Sequence, residues 1–372
     1  MKEKMIKLFK EDTILVVSGI LAVISCFFVT PDAGYKDYVN YRVLAILFSL
    51  MLVVSALIRI GTFDYLTEKL LGRIHSEKYV SLLLVILSFF MSMLLTNDVT
   101  LVTLVPFAVN VLKAYKDRRR MMYTLILMTV SANLGSMLTP IGNPQNLYLY
   151  SNFSFKLSDF ILLMLPYSAV SLIMLIVSVF ILNVTDKTAD TAVTKATPVP
   201  NALKLGLYSA LFIVCIITVS DKLHYLIMLG IVAAVILVVD RKAFKNVDYG
   251  LLLTFVFFFV LIGNLGRINI ISDTLSVIIE KNVILTSVLA SQIISNVPSA
   301  MLLSAFTDKG SALVIGTNLG GLGTLIASMA SLITYKFFNK IKKEGEHYLL
   351  AFTIINVIFL IVLFTMSVFL YR

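Results

Sequence analysis

The chain has 372 residues, 59% of them hydrophobic and 14% charged, and a mean hydropathy of +0.95. A soluble domain carries roughly 45–50% apolar and about 25% charged residues, so this composition excludes an ordinary soluble protein and predicts an all-α polytopic membrane protein. The net charge of +10 does not point to nucleic acid, because the basic residues fall in short loops between apolar runs, where they orient a membrane protein. Cys26 and Cys215 each lie inside an apolar run and read as packing residues; no Cys/His cluster predicts a metal site, and no cofactor is expected.

In chain order, MKEKMIKLFKED precedes an apolar run at 13–30 that is too long for a signal sequence and lacks a small-x-small cleavage site, so it reads as a first transmembrane helix. Runs of roughly 18 or more apolar residues follow at 40–60, 121–150, 157–183, 202–219, 223–240, 249–268, 311–335 and 349–371. With the first, that makes nine predicted spans. Two more apolar stretches are interrupted by polar tips. The stretch 79–114 breaks at Thr96-Asn97-Asp98, and 282–306 breaks at Ser295-Asn296-Val297-Pro298. The arms of the second, about 13 and ten residues, reach roughly 20 and 15 Å, short of the ~30 Å hydrocarbon core. A re-entrant hairpin is therefore expected there. The first, with arms of about 17 residues, is read the same way, although alone it also fits two short spans. The segment 185–203 reads as a polar cytoplasmic linker. With the N-terminus inside and both hairpins returning to their starting side, 23 of the 31 Lys and Arg fall on the cytoplasmic side, as the positive-inside rule requires. A plasma-membrane protein with a cytoplasmic N-terminus is expected.

The span 121–150 contains SANLGSMLTPIGNPQN (131–146), where Gly135, Pro140, Gly142 and Pro144 predict unwinding near mid-membrane. Residues 131–153 align without gaps on 316–338: Asn133, Leu134, Gly135, Thr139 and Ile141 meet Asn318, Leu319, Gly320, Thr324 and Ile326. The tips align as well, 96–107 on 295–306. An odd number of crossings separates the copies, so the second is inverted: 1–184 forms a first repeat (hairpin 79–114, unwound helix 121–150) and 204–372 a second (hairpin 282–306, unwound helix 311–338). Inverted repeats with broken helices are the pattern of secondary transporters. Irregular backbone at membrane depth is tolerated where it lines a cavity. There, freed carbonyls and amides can hold a cation, and exposed helix N-termini an anion.

Asp98 is the only acid at either tip, and an intramembrane carboxylate is costly enough to suggest a coupling role, with a helix cap as the alternative. Capping is also the alternative for Asn97 and Asn296, as is helix packing for the polar residues of the unwound segments. Arg59 and Arg267, at symmetric span ends, are expected to snorkel and pair with helix C-termini. Neither tip nor unwound segment contains Lys or Arg, so a bound anion would rely on amides, hydroxyls and co-bound cations.

The paired tips, the two unwound helices and TPIGNPQN at 139–146 resemble the ion transporter superfamily, in its citrate transporter and arsenite permease branch. The likeness runs from about residue 40 to 371, with Asp98 and Val297 standing where that group carries threonines. It implies a homodimer in the lipid bilayer and makes the tip asparagines ligands. Substrate is then expected at Asn97, Thr100, Asn143, Asn146, Asn296, Ser299, Thr317 and Thr324. A coupling cation, Na+ or H+, is expected at Thr96, Asp98, Asn133, Gly135, Thr139, Ser295, Asn318 and Gly320. The leading expectation is an ion-coupled, elevator-like secondary transporter of small anions, either di- or tricarboxylates or inorganic oxyanions. An arsenite or antimonite efflux permease and a sodium/proton antiporter are the alternatives. No nucleophile-and-base pair suggests an enzyme.

Overall fold

The computed structural model describes residues 13–71, 74, 76–182, 198–341 and 347–371, which contain helices and no β-strand. The basic segment 1–12, the linker residues 185–197, and Arg73, Lys342 and Lys343 of the charge argument lie outside the described residues. In chain order the helices are α1 (Thr13–Phe28), α2 (Tyr35–Tyr38), α3 (Tyr41–Arg59), α4 (Thr62–Leu71), α5 (Glu77–Leu95) and α6 (Asn97–Leu112). There follow α7 (Arg118–Ser136), α8 (Pro144–Asn152), α9 (Leu157–Leu182), α10 (Ala202–Val219), α11 (Tyr225–Asp240) and α12 (Tyr249–Gly266). The last are α13 (Asn269–Lys281), α14 (Val283–Ile294), α15 (Asn296–Ser304), α16 (Gly310–Leu319), α17 (Met329–Asn339) and α18 (Tyr348–Leu370).

Seven described helices are long and apolar enough to cross a membrane: α3, α5, α6 extended to Tyr115, α9, α10, α12 and α18. The protein is a polytopic membrane protein. The inventory differs from the nine predicted runs for physical reasons. The runs 121–150 and 311–335 are each cut into two helices, α7/α8 and α16/α17, while α11, of 16 residues, and the 16 described residues of α1 rise only about 24 Å. Conversely, α5 and the extended α6 have 19 residues each, about 28 Å, longer than the arms expected between 79 and 114. At 12 and nine residues, α14 and α15 rise only about 18 and 14 Å.

The chain divides into two compact units, each assembled from separate stretches. The first comprises Met1–Ile60, Ala202–Asn282 and Met301–Asp308. In it α1 packs on α12, and α3 packs on α10 and α11. Asn264, wholly buried on α12, donates through Nδ2 to Ser25 Oγ of α1 (2.9 Å). Arg59 and Arg267 do stand at helix ends, but each meets a carboxylate instead of the expected helix C-terminus: Arg59 Nε–Asp240 Oδ2 at 2.9 Å and Arg267 Nη1–Asp32 Oδ2 at 2.7 Å. The first-unit helices also border an open apolar hollow of about 620 Å³ lined by Leu44, Phe48, Tyr225, Leu229, Tyr249 and Leu252 among others.

The second unit comprises Gly61–Asn201, Val283–Ala300 and Lys309–Arg372. At its centre α7 is buried almost all round, from Arg120 to Ser136 with only Tyr123 emerging, and is packed by α5, α6, α9 and α17. Its one buried charge, Arg120, meets Glu77 of α5 through Nη1 (2.9 Å) and Asp117 through Nε (3.3 Å). α16 is likewise buried along its whole length and packs on α14.

Candidate functional site

Both central helices of the second unit stop short, and the sequence dictates where. α7 ends at Ser136 because Pro140 and Pro144 cannot donate to a helical ladder and bias the residues before them toward extended backbone. Asn143 is extended accordingly (φ −143°, ψ 144°), with Pro144 opening α8, where a missing N–H costs nothing. α16 ends at Leu319 before Gly320, Gly321 and Gly323. Gly323 takes φ +106°, a conformation open to glycine but rarely to other residues. Ser328, in the place matching Asn143, is extended too (φ −141°, ψ 135°) and opens α17.

The tips match one another. Thr96 (φ 80°) and Ser295 (φ 74°), immediately before α6 and α15, both hold positive φ without being glycine, a conformation that surrounding contacts must enforce. After each, the asparagine N–H reaches into a break: Asn97 N donates to Gly142 O (3.3 Å) and Asn296 N to Ala327 O (3.0 Å). The break threonines tie back to the arms, Thr139 Oγ1 donating to Met93 O (2.6 Å) and Thr324 Oγ1 to Gln292 O (3.3 Å). A Cβ on Gly135 would lie 2.1 Å from Phe89 O of α5, and one on Gly320 would lie 2.5 Å from Ser291 Oγ of α14. Each break is thus pressed against the arm that carries its tip.

The two breaks meet through side chains. Asn133, in the last turn of α7, accepts at Oδ1 from Asn97 Nδ2 (2.9 Å) and from Ser328 Oγ (2.8 Å). Asn318, in the last turn of α16, donates through Nδ2 to Asn146 Oδ1 on α8 (2.7 Å) and to Val314 O (2.8 Å). Asn146 Nδ2 in turn faces the carbonyls of Ser136 (3.3 Å), Met137 (3.5 Å) and Thr139 (3.3 Å), and Asn143 Nδ2 donates to Ser136 Oγ (2.7 Å). Asp98 is half-buried at the start of α6, its N–H donating to Asn97 Oδ1 (2.9 Å). Ser295 Oγ faces Asn296 Oδ1 and Ala327 O, each at 3.4 Å.

Six buried polar atoms around these segments have no hydrogen-bond partner among the described residues: Thr100 Oγ1, Asn133 Nδ2, Asn143 Oδ1, Gln145 Nε2, Ser299 Oγ and Asn318 Oδ1. Buried polar groups are nearly always partnered, so this cluster has unused capacity for a polar ligand. Thr100 and Ser299 occupy matching places behind the two tips. Two expected residues turn elsewhere. Thr317 Oγ1 is committed to Leu313 O of its own helix (2.8 Å), the usual back-bond of a threonine in an apolar helix. Thr324 is exposed, its N–H donating to Gln292 Oε1 (2.9 Å).

Gln292 is the residue that sequence reasoning missed. Its Nε2 donates to Gly320 O (3.0 Å) and Leu322 O (2.9 Å), besides Val288 O of its own helix (3.2 Å). An amide well inside the apolar run 282–294 is a signal, but the internal alignment sets it against Met93 and hides it. No group of three or more His, Cys, Asp or Glu capable of holding a metal occurs among the described residues.

Residues 4–309 match the family described as Citrate transporter. The chain is 33% identical over 329 residues to an uncharacterized transporter of Methanocaldococcus jannaschii, covering 87% of this chain and 88% of that one. It is 30% identical over 328 residues to the inner membrane protein YbiR of Escherichia coli, covering 86% of each. A shorter likeness, 32% over 148 residues, links 40% of the chain to 30% of the silicon efflux transporter LSI3 of Oryza sativa. A family match over most of the chain, joined to relatives matched over most of their own length, makes this protein a member of the citrate transporter family.

Proposed function

We propose that the protein is a secondary active transporter of a small anion, a di- or tricarboxylate or an inorganic oxyanion, bound between the tips at Asn97 and Asn296 and coupled to Na+ or H+ through Asp98. The observation that carries this reading is the cluster of six partnerless buried polar atoms at two broken helices. Helix N-termini at α6, α8, α15 and α17 converge on these segments, and their dipoles favour negative charge. The reading takes the two halves of the chain as inverted copies, places the protein in the plasma membrane with its N-terminus in the cytoplasm, and has it work as a homodimer. The second unit carries bound substrate across in an elevator-like step.

A second reading has one specific support. No Lys or Arg stands at the tips or breaks, which suits the neutral acid of arsenite, antimonite or silicate, and the partial likeness to a silicon efflux transporter agrees with export of such a species. A sodium/proton antiporter would use Asp98 with no organic substrate.

Flux into proteoliposomes of labelled citrate, succinate, phosphate, arsenite and silicate, with and without sodium and a pH gradient, separates these readings. Asn97→Ala and Asn296→Ala should each lower uptake about five- to 150-fold, since an unmet buried partner costs about 1–3 kcal/mol. Asp98→Asn should alter the cation or pH dependence more than substrate selectivity. Unchanged cation and pH dependence at matched protein levels would leave Asp98 as a helix cap.

A further inference from the structure

The geometry points to two neutral side-chain amides, Asn146 Nδ2 and Gln292 Nε2, filling the positions that a cation would occupy at the two breaks, so that no sodium ion is held there. This rests on the transporter reading and narrows its coupling ion.

Breaking a helix frees main-chain carbonyls and leaves the negative end of the helix dipole facing the gap. Such a cage of oxygens attracts a cation. In this protein each cage already contains a donor. At the first break Asn146 Nδ2 faces Ser136 O, Met137 O and Thr139 O. At the second, Gln292 Nε2 lies 3.0 and 2.9 Å from Gly320 O and Leu322 O. Neither amide is loosely placed. Asn146 Oδ1 accepts from Asn318 Nδ2 (2.7 Å) and Gln292 Oε1 from Thr324 N (2.9 Å), so both ends of both amides are engaged.

Several neighbouring oxygens are committed as well, although Asn143 Oδ1 and Asn318 Oδ1 are not. Asn133 Oδ1 takes two donors, and Gly142 O and Ala327 O take the tip N–H groups. A sodium ion entering either cage would have to evict an amide and strip its N–H groups of their acceptors, a loss that binding must first overcome. The amide supplies partial positive charge without a net charge. The carbonyls are therefore satisfied whether or not substrate or ion is present.

The test uses purified full-length protein and needs no substrate, so it stands even if none of the proposed anions is carried. Thermal unfolding and binding of radiolabelled sodium are measured across a titration of sodium against choline at constant ionic strength. The wild type should show no saturable sodium binding and no sodium-dependent rise in Tm. Gln292→Glu and Asn146→Asp replace the donor with a carboxylate aimed at carbonyls, which should demand a cation or a proton. Their Tm should rise saturably with sodium at about pH 8, and without sodium it should rise as the pH falls. A merely structural role would lower Tm without making it sodium-dependent. Saturable sodium stabilisation of the wild type would overturn the proposal, and so would carboxylate variants that fold but ignore sodium. If neither variant folds, the wild-type titration alone decides.

Discussion

The two breaks solve one problem with different residues. The first is made by prolines, and its carbonyls are met by Asn146, which reaches back from the helix downstream of the gap. The second is made by glycines, and its carbonyls are met by Gln292, which reaches across from the arm that carries the tip. Around these differences the backbone contacts are the same: tip N–H to break carbonyl, break threonine to arm carbonyl, extended residue before the resuming helix. What the fold conserves between the two places is the need for a donor at the end of a cut helix. The address of the side chain that supplies it is free to move. The arrangement is also unequal, because Asn146 serves both breaks, capping one and accepting from Asn318 of the other, whereas Gln292 serves only its own.

That inequality gives the largest expected effect. Asn146→Ala uncaps the first break and strips Asn318 of a partner, and at about 1–3 kcal/mol per buried unmet group it should cost about 3 kcal/mol or more. Gln292→Ala exposes its unmet groups beside Thr324, which solvent reaches, and should cost about 1–2 kcal/mol. Denaturant unfolding in detergent checks the order, and equal losses would erase the distinction between the breaks. The next effect concerns the glycines. Gly135→Ala drives a Cβ into the main-chain oxygen of Phe89, while Gly320→Ala meets first the hydroxyl of Ser291. Overpacking costs about 1–3 kcal/mol, so Gly135→Ala should lie near the top of that range and Gly320→Ala near the bottom. Ser291→Gly should recover part of the second loss, and Tm series of the single and double variants would show whether it does.

The smallest effect lies in the other unit and sets a baseline. The Arg267 guanidinium beside Asp32 holds its carboxyl below the ordinary aspartate range. A lowered folded-state pKa gives stability that is present above the unfolded value and lost as pH falls through the folded one. Asp32→Asn should therefore be slightly less stable than wild type at neutral pH, and the two should converge as the pH falls below the ordinary aspartate range. A gap that persists in acid would mean that Asp32 acts through packing instead of charge.

Much of this was legible in the residues. Pro140, Pro144 and the glycines after Leu319 state where helices must stop, and Asn97 and Asn296 after the apolar arms state where tips fall, because both are local consequences of backbone chemistry. Span lengths were less legible. Hydropathy runs through a break without noticing it, so 121–150 and 311–335 read as continuous, while Lys78 and the basic residues after Leu112 conceal the full length of α5 and α6. Gln292 was illegible for a different reason: its role exists only once residues 320–324 are folded beside it, and pairing it with Met93 suggests an apolar position. Thr317 shows the converse, a polar residue in the right segment whose hydroxyl its own helix absorbs.

The hydrogen bond from Ser328 to Asn133 joins residues 195 positions apart in the chain, and it sets a schedule for biosynthesis. At about 5–20 residues per second, the ribosome delivers Ser328 roughly 10–40 s after Asn133. For that interval the broken end of α7 sits in the membrane with its asparagine lacking one of its two donors. The first half of the protein is thus inserted before it can be completed. A chain truncated between the two breaks should carry an open polar wound at bilayer depth, the kind of defect that membrane quality-control proteases are equipped to find.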